Sequence, residues 1–509
     1  MSMKKIFAIL PILAWSCSQP ETPEMQTEEL NQAQRQLAVQ HCSSCHRFTE
    51  PELVDKATWQ NYVLPRMGYF YGIYDEENSR KSLLEDGSGG QIVAAAGVFP
   101  ESPQIDSITW QKIISYYLRN APEKMPEQNR DELDSLDLFA VRDPGLVLSP
   151  PSSTMVQFSE DGGLVVGDAH TGAVYFLNQE LNLQNAARVK EGAVHMHTTD
   201  DHYWVTVMGS FSPTDARSGM IVKLPRDRQS EPEIVISNLQ RPVDALYADF
   251  NDDGLTDIVI SEFGKWTGSL SLYLNQGDDS FERMVIENRS GATKALARDV
   301  NGDGLMDIVA LFGQGIEAIE TFINEGDGNF RHERLLEFES SYGSSYFALH
   351  DLDGDGDEDL LYCAGDNADY LPILKPYHGV YLYTNTGDFQ FEKADFLPMN
   401  GAYKAIPADF DYDGDLDIAA ISFFPDYEEQ PNEGFILFRN EGGSYRRQSF
   451  ENLSLGRWIS MDMADYDGDG DQDLVLGSLA FETVPVQSEL ESSWINQGRP
   501  YILLENQSR

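Results

Sequence analysis

Apolar and polar positions along the chain change pattern three times. A short basic start (Lys4, Lys5) leads into an apolar stretch from Ile6 to Trp15, too short to span a membrane and patterned as an export signal. Helical periodicity follows. Leu30, Ala33, Leu37 and Ala38 share one face of a helix expected over Thr27–Gln40, with Thr27 as its cap. Trp110, Ile113, Ile114, Tyr117 and Leu118 recur at i, i+3, i+4, i+7 and i+8, which predicts an amphipathic helix over Ser107–Asn120, stopped by Pro122. Leu136–Val141 reads as a strand. From about residue 146 the pattern becomes short apolar runs between Gly, Asn and Asp turns, which reads as strands.

Five of those runs follow the same loop. The apolar runs are Asp257-Ile-Val-Ile, Asp307-Ile-Val-Ala, Asp359-Leu-Leu-Tyr, Asp417-Ile-Ala-Ala and Asp473-Leu-Val-Leu. The loops before them carry Asp249/Asn251/Asp253/Gly254/Asp257, Asp299/Asn301/Asp303/Gly304/Asp307 and Asp351/Asp353/Asp355/Gly356/Asp359. Two more carry Asp409/Asp411/Asp413/Gly414/Asp417 and Asp465/Asp467/Asp469/Gly470/Asp473. Oxygens at positions 1, 3 and 5 of a tight loop converge, and Gly at position 6 permits a positive-φ turn. The carbonyl of position 7 and the Asp of position 9 complete a shell of hard oxygens suited to Ca²⁺. An EF-hand would need Glu at position 12 and a helix after it; here Ile260, Ala310, Tyr362, Ala420 and Leu476 stand there and a strand follows. A solvated acidic turn without metal is the competing reading, opposed by carboxylate repulsion within each loop.

The loops start 50, 52, 58 and 56 residues apart. Each repeat runs loop, buried strand, turn, a second strand ending in Asn-x-Gly, and an outer strand. Asn275-Gln-Gly277, Asn324-Glu-Gly326, Asn385-Thr-Gly387 and Asn440-Glu-Gly442 mark the hairpins. This period predicts an all-β seven-bladed propeller over 146–509. Ser149–Arg188 and Val189–Ser237 read as two blades without the Asp loop. The last unit lacks an outer strand after Tyr501–Asn506, and Leu136–Val141 is placed to supply it and close the ring. Residues 240–509, and 146–240 more weakly, resemble the FG-GAP/VCBS repeats of calcium-binding propellers such as the integrin α-subunit head. The literal Phe-Gly pair remains at Phe263-Gly264 and Phe312-Gly313.

The N-terminal part carries different chemistry. Residues 1–16 read as a signal peptide ending before Cys17. The arrangement resembles a bacterial lipoprotein signal, although Ala14 stands where Leu is usual and Trp15 follows it. The resemblance implies lipidation at Cys17, a tether over 17–29, and attachment to the bacterial outer membrane on its periplasmic or surface face. The sequence His41-Cys42-Ser-Ser-Cys45-His46 contains C-x-x-C-H, the attachment signature of c-type haem. Cys42 and Cys45 would form the thioethers, and His46 would lie beneath the iron. A thioredoxin-like pair would need a βαβ context. A zinc site would need two further soft ligands, and Cys363 is far away. Residues 30–122 resemble a small class I cytochrome c domain. Its second axial ligand is usually a Met shortly before the last helix, but Phe99-Pro-Glu-Ser-Pro103 holds none. Met67 and Met125 remain. Met67 is the expected ligand, with core packing as its alternative role. Glu85–Gly97 reads as a loop over the haem edge. Residues 123–145 form a linker and the closing strand.

Composition narrows the partners. The chain has 509 residues, 84 acids and 36 bases, for a net charge of −48. Setting aside the 23 acids of the five loops leaves 61, still 25 more than the bases. No nucleic-acid or anionic-lipid footprint is present. Three functions fit. The first is an exported haem c electron-transfer lipoprotein whose Ca²⁺-stiffened propeller docks a redox protein or another exported partner. The second is a redox enzyme with its substrate near the propeller axis, with His170, His195, His197 and Arg298 as candidate groups. The third is a polysaccharide-binding or adhesive protein using aromatics such as Trp204, Trp266, Trp458 and Trp494. The first requires no catalytic residue.

Overall fold

A computed structural model describes residues 23–509 except 228–230, 327, 369–371 and 481–487. The expected signal peptide, Cys17 and the first part of the tether lie outside the described residues. No helix among the described residues is long and apolar enough to cross a membrane.

The N-terminal part, to Asn120, is helical. Its first helix, Pro23–Cys42, begins inside the segment expected to be a tether. Pro suits a first helical turn, because its fixed φ is already helical and its missing N–H has no intrahelical partner there. This helix crosses the last one, Ser107–Asn120. Asn31 Nδ2 donates to Asn120 Oδ1 at 3.1 Å, and Arg119 Nη1 donates to Gln34 Oε1 at 2.7 Å. Beneath these bonds Ala38, Trp59, Leu64, Trp110, Ile113 and Tyr117 form one buried cluster. Asp106 caps the last helix, accepting from the N–H groups of Ile108 and Thr109 at 3.0 Å each. The expected loop over Glu85–Gly97 is instead mostly the helix Ser88–Ala96. Its Ile-Val-Ala-Ala-Ala run favours helix, and its glycines serve another purpose. Gly89 and Gly90 are buried, and a Cβ on Gly89 would lie 2.8 Å from the amide nitrogen of Ala216.

The rest is a seven-bladed β-propeller of consecutive antiparallel sheets. Each blade runs from an innermost strand to an outermost one, A to D. The sequence repeat revealed three strands per blade, and the fourth is the innermost. It precedes each Asp loop, as Pro242–Ala248, Ala292–Arg298, Ser344–His350, Ala402–Ala408 and Trp458–Ala464. Strand B after each loop is buried throughout, from Asp257–Glu262 to Asp473–Ser478. Blades 1 and 2 replace the Asp loop with the short turns 160–162 and 199–201. The seventh blade is closed by Phe139–Arg142, paired antiparallel with Tyr501–Asn506. This is the expected closure, displaced by a few residues. Asp134–Ser135 adds a parallel pairing to the outer strand of blade 6. A helix absent from the repeat pattern, Ser488–Gln497, lies between the second and third strands of blade 7.

Strand alternation sorts the connections by face. The A–B loops, including the five Asp loops, share one end with the C–D turns. The B–C loops and blade crossovers share the other, and the helical part sits there. Tyr377 Oη donates to the Leu53 carbonyl at 2.7 Å, and Arg47 pairs with Glu339 at 2.9 Å. Glu85 accepts from Thr214 Oγ1 at 2.9 Å and from the Asp215 N–H at 3.0 Å. Trp266 meets Phe70 and Phe99 edge-on, with centroids 5.7 and 5.4 Å away. The connecting segment is also tied down. Arg130 binds Asp426 at 2.6 Å and Glu433 at 3.1 Å.

Candidate functional site

Each Asp loop is built by the same bonds. The Gly at position 6 takes φ of +83°, +92°, +100°, +100° and +95° at Gly254, Gly304, Gly356, Gly414 and Gly470, where a side chain would be strained. The buried Asp at position 9 accepts two backbone N–H bonds. One oxygen takes position 2 of its own loop: Phe250, Val300, Leu352, Phe410 and Tyr466, at 2.9–3.3 Å. The other takes the Asn ending strand C: Asn275, Asn324, Asn385, Asn440 and Asn506, at 2.7–2.8 Å. The Asn-x-Gly turn and the Asp loop, separate in the sequence, are therefore halves of one latch.

Ligand atoms converge in three of the loops. One carboxylate oxygen each of Asp351, Asp353 and Asp355 lies within 4.8 Å of the others, and the same holds for Asp409/Asp411/Asp413 and for Asp465/Asp467/Asp473. The fifth loop brings a different trio together. Asp469, at position 5, stands outside its converging trio, and Asp473, at position 9, takes that place. In all five loops the N–H of position 7 donates to Oδ1 of position 5, at 2.8–3.0 Å. Asp471 is buried, and its N–H donates to Asp469 Oδ1 at 3.0 Å. In the first two loops position 3 is an amide, and Asn251 and Asn301 donate to Asp253 and Asp303 at 2.9 Å. Burial pushes Asp417 up to about 7 and Asp473 up to about 6, and neighbouring carboxylates push the same way. A bound cation would relieve that repulsion, so the donor set fits Ca²⁺.

The C-x-x-C-H segment ends the first helix. Cys42 is half-buried against the helical core that also takes Met67, Phe48 and Tyr71, while Cys45 is exposed. Tyr71, one turn beyond Met67, donates to the His41 carbonyl at 2.6 Å, which holds the Met67 helix alongside the motif. Nδ1 of His46 lies 2.7 Å from the Arg47 carbonyl. Donation to that carbonyl leaves Nε2 as the free ligand nitrogen. Burial pushes the Cys42 thiol up to about 11, the opposite of what a thioredoxin-like nucleophile needs. Cys42 and Met67 share one cluster, with Cys45 and His46 outside it on the same chain turn; the donor types are those a c-type haem would use. Met125 lies outside this set, in the connecting segment.

Of the four enzyme candidates only His195 and His197 come together, both against the Tyr247 ring, with His195 at 6.1 Å. His170 is exposed in the B–C turn of blade 1, and Arg298 lies at the opposite end, paired with Glu358 at 2.7 Å. His197 stacks on Tyr247 at 4.1 Å. The aromatic residues offered for glycan binding are not platforms either. Trp458 and Trp494 are fully buried, Trp266 is covered by Phe70 and Phe99, and Lys223 lies 5.4 Å over the Trp204 ring. Sequence reasoning missed the innermost strands and what they carry into the axial channel. The usable signal was a polar-Ala-apolar triplet five residues before an Asp loop, in Asp244-Ala-Leu, Lys294-Ala-Leu and Lys404-Ala-Ile.

The fold and its latched loops define a seven-bladed β-propeller that carries FG-GAP-like repeats. The FG-GAP-like repeat profile matches residues 249–310 and 299–362. No curated protein matches the chain. Among solved structures it is similar to the N-terminal domain of Nup159, at 10% identity and TM-score 0.42, over 74% of this chain and 97% of that one. It is also similar to Saccharomyces cerevisiae Sqt1, at 9% identity and TM-score 0.43, over 74% of this chain and 100% of the other. A streptogramin B lyase aligns at 11% identity and TM-score 0.46, over 72% and 98%.

Proposed function

We propose that this chain is an exported electron-transfer protein. Its helical part holds one covalent c-type haem, and its propeller, tied by Ca²⁺ at five loops, docks a redox protein or another exported partner. The observation that carries the reading is the C-x-x-C-H motif at the end of a helix, with the His46 Nδ1 turned to a backbone carbonyl. Bound haem would supply one-electron chemistry at the iron. Cys42 and Cys45 would anchor it, His46 would present Nε2, and Met67 would offer its sulfur from the adjacent helix. The buried cluster with Trp110 and Tyr117 backs Cys42 and Met67. The apolar start and Cys17 support export and lipid attachment to the outer membrane.

The test is the spectrum of full chain produced with a c-type maturation system. A haem band that survives denaturation, is lost in Cys42→Ala/Cys45→Ala, and has altered axial ligation in Met67→Ala is expected. Apoprotein from a competent host refutes the haem assignment.

A further inference from the structure

The axial channel is the least explained part of the molecule. Its wall is the seven innermost strands, and these share one register. Each carries a bulge at its second residue, between Ser153/Met155, Ala193/His195, Pro242/Asp244, Ala292/Lys294, Ser344/Tyr346, Ala402/Lys404 and Trp458/Ser460. Beyond the bulge, the fourth residue of every strand is buried between blades. The third residue keeps accessible surface in blades 2 to 7, and so lines the channel. Those residues are His195, Asp244, Lys294, Tyr346, Lys404 and Ser460.

They face one another across the axis. The His195 imidazole feels the ammonium groups of both Lys294 and Lys404, from the fourth and sixth blades, as well as the Asp244 carboxylate. Lys294 and Lys404 flank the Tyr346 ring at 5.0 and 5.3 Å.

The partners are unevenly distributed. Lys404 donates to the Met461 carbonyl at 2.7 Å. Asp244 accepts from the Ala295 N–H at 3.2 Å, and Asp462 from the Phe158 N–H at 2.8 Å. Lys294 has no carboxylate within ion-pair distance among the described residues, although the blades enclose it. His195 Nδ1 and Ser460 Oγ are buried without a hydrogen-bond partner. Asp244 is the carboxylate whose charge acts on Lys294, without a direct ion pair, and the imidazole beside it is unpartnered, so the collar keeps polar capacity that a ligand can use. Two residues along each strand, toward the Asp loops, blades 3 to 6 present Leu246, Leu296, Ala348 and Ile406, while blades 1, 2 and 7 present Gln157, His197 and Asp462.

We propose that the channel binds a small organic monocarboxylate. Lys294 takes the carboxylate, with His195 and the Tyr346 hydroxyl beside it, and Leu246, Leu296 and Ile406 take the apolar part. The collar needs no haem, so this site stands or falls apart from the electron-transfer reading.

The test is isothermal titration of the full-length protein, with Ca²⁺ present, using isovalerate, benzoate and the neutral isovaleramide. Binding of at least one carboxylate with millimolar or lower Kd is expected, with isovaleramide at least tenfold weaker than isovalerate. Lys294→Met should weaken carboxylate binding at least tenfold. The exposed Lys112→Met should leave it unchanged. Absence of heat with both carboxylates overturns the proposal, as does equal binding of acid and amide, or unchanged binding by a folded Lys294→Met. If Lys294→Met does not fold, the acid-to-amide ratio in the unaltered protein decides alone.

Discussion

Replacing Arg130 by Met should cut the propeller's stability through one buried charge. Glu433 has no exposed side-chain surface, Asp426 has 5% and Arg130 has 12%. Removing one partner of a buried ion pair costs about 3–5 kcal/mol, because the other charge is left in the interior. Glu433 here keeps some support. Arg447 stands 3.4 Å away, and the N–H groups of Asn400 and Asp426 donate to it at 3.1 and 3.0 Å. The loss therefore falls near the lower edge, at about 2–3 kcal/mol. Burial already pushes the Glu433 carboxyl up, with Arg130 as the main opposing charge, so the variant should regain part of the loss as pH falls. Urea unfolding followed by tryptophan fluorescence measures the change. Adding Glu433→Gln to Arg130→Met should cost less than the sum of the two single changes, by at least about 1 kcal/mol. A loss under about 0.5 kcal/mol for Arg130→Met, or strict additivity in the pair, would refute the reasoning.

Other expectations follow the same logic. Chelation with EDTA should lower the propeller's melting temperature, restored by Ca²⁺, and leave the helical part nearly untouched; a scan insensitive to EDTA removes the metal assignment. Burial pushes Glu317 up to about 7, against its bonds from Ser344 and Gly343 and the nearby Lys375. A carboxyl raised in the folded state stabilises fully below its unfolded value near 4.5, and that contribution is lost as pH rises through about 7. Unaltered protein should thus lose about 2–3 kcal/mol between pH 5 and 8 relative to Glu317→Gln, and parallel pH profiles would count against it. Trp266→Ala removes the ring contacts to Phe70 and Phe99 and should speed protease cleavage in the segment 121–133, with the main propeller melt unchanged; unchanged cleavage would show that the contact does not hold the helical part down.

The blade count, the closing strand and the positive-φ glycines were legible because each depends on local chemistry repeated at a fixed period. Gly254 and its four equivalents read correctly, since only a positive-φ turn explains Gly there. The innermost strands were not legible. Their burial alternates because one side faces blades and the other a channel, and Asp244 or Lys404 then looks like a surface residue. The helix Ser88–Ala96 was hidden by glycines that serve close packing against the propeller. The helix Ser488–Gln497 broke a repeat that otherwise predicted a turn. Donor chemistry in Cys42, Cys45 and His46 was visible at once. The orientation of His46 was not, because it depends on a backbone carbonyl one residue away.

The composite seventh blade has a kinetic consequence. Its outer strand, Phe139–Arg142, comes before all the other blades in the chain, and its partner, Tyr501–Asn506, comes after them. The ring therefore cannot lock until Tyr501–Asn506 has been synthesised, and the loop it must close is very long. Until then the edges of the first blade and of Phe139–Arg142 stay open to strand addition. Biogenesis of this chain should depend on holding it unaggregated during that interval, more than on the intrinsic speed of any single blade.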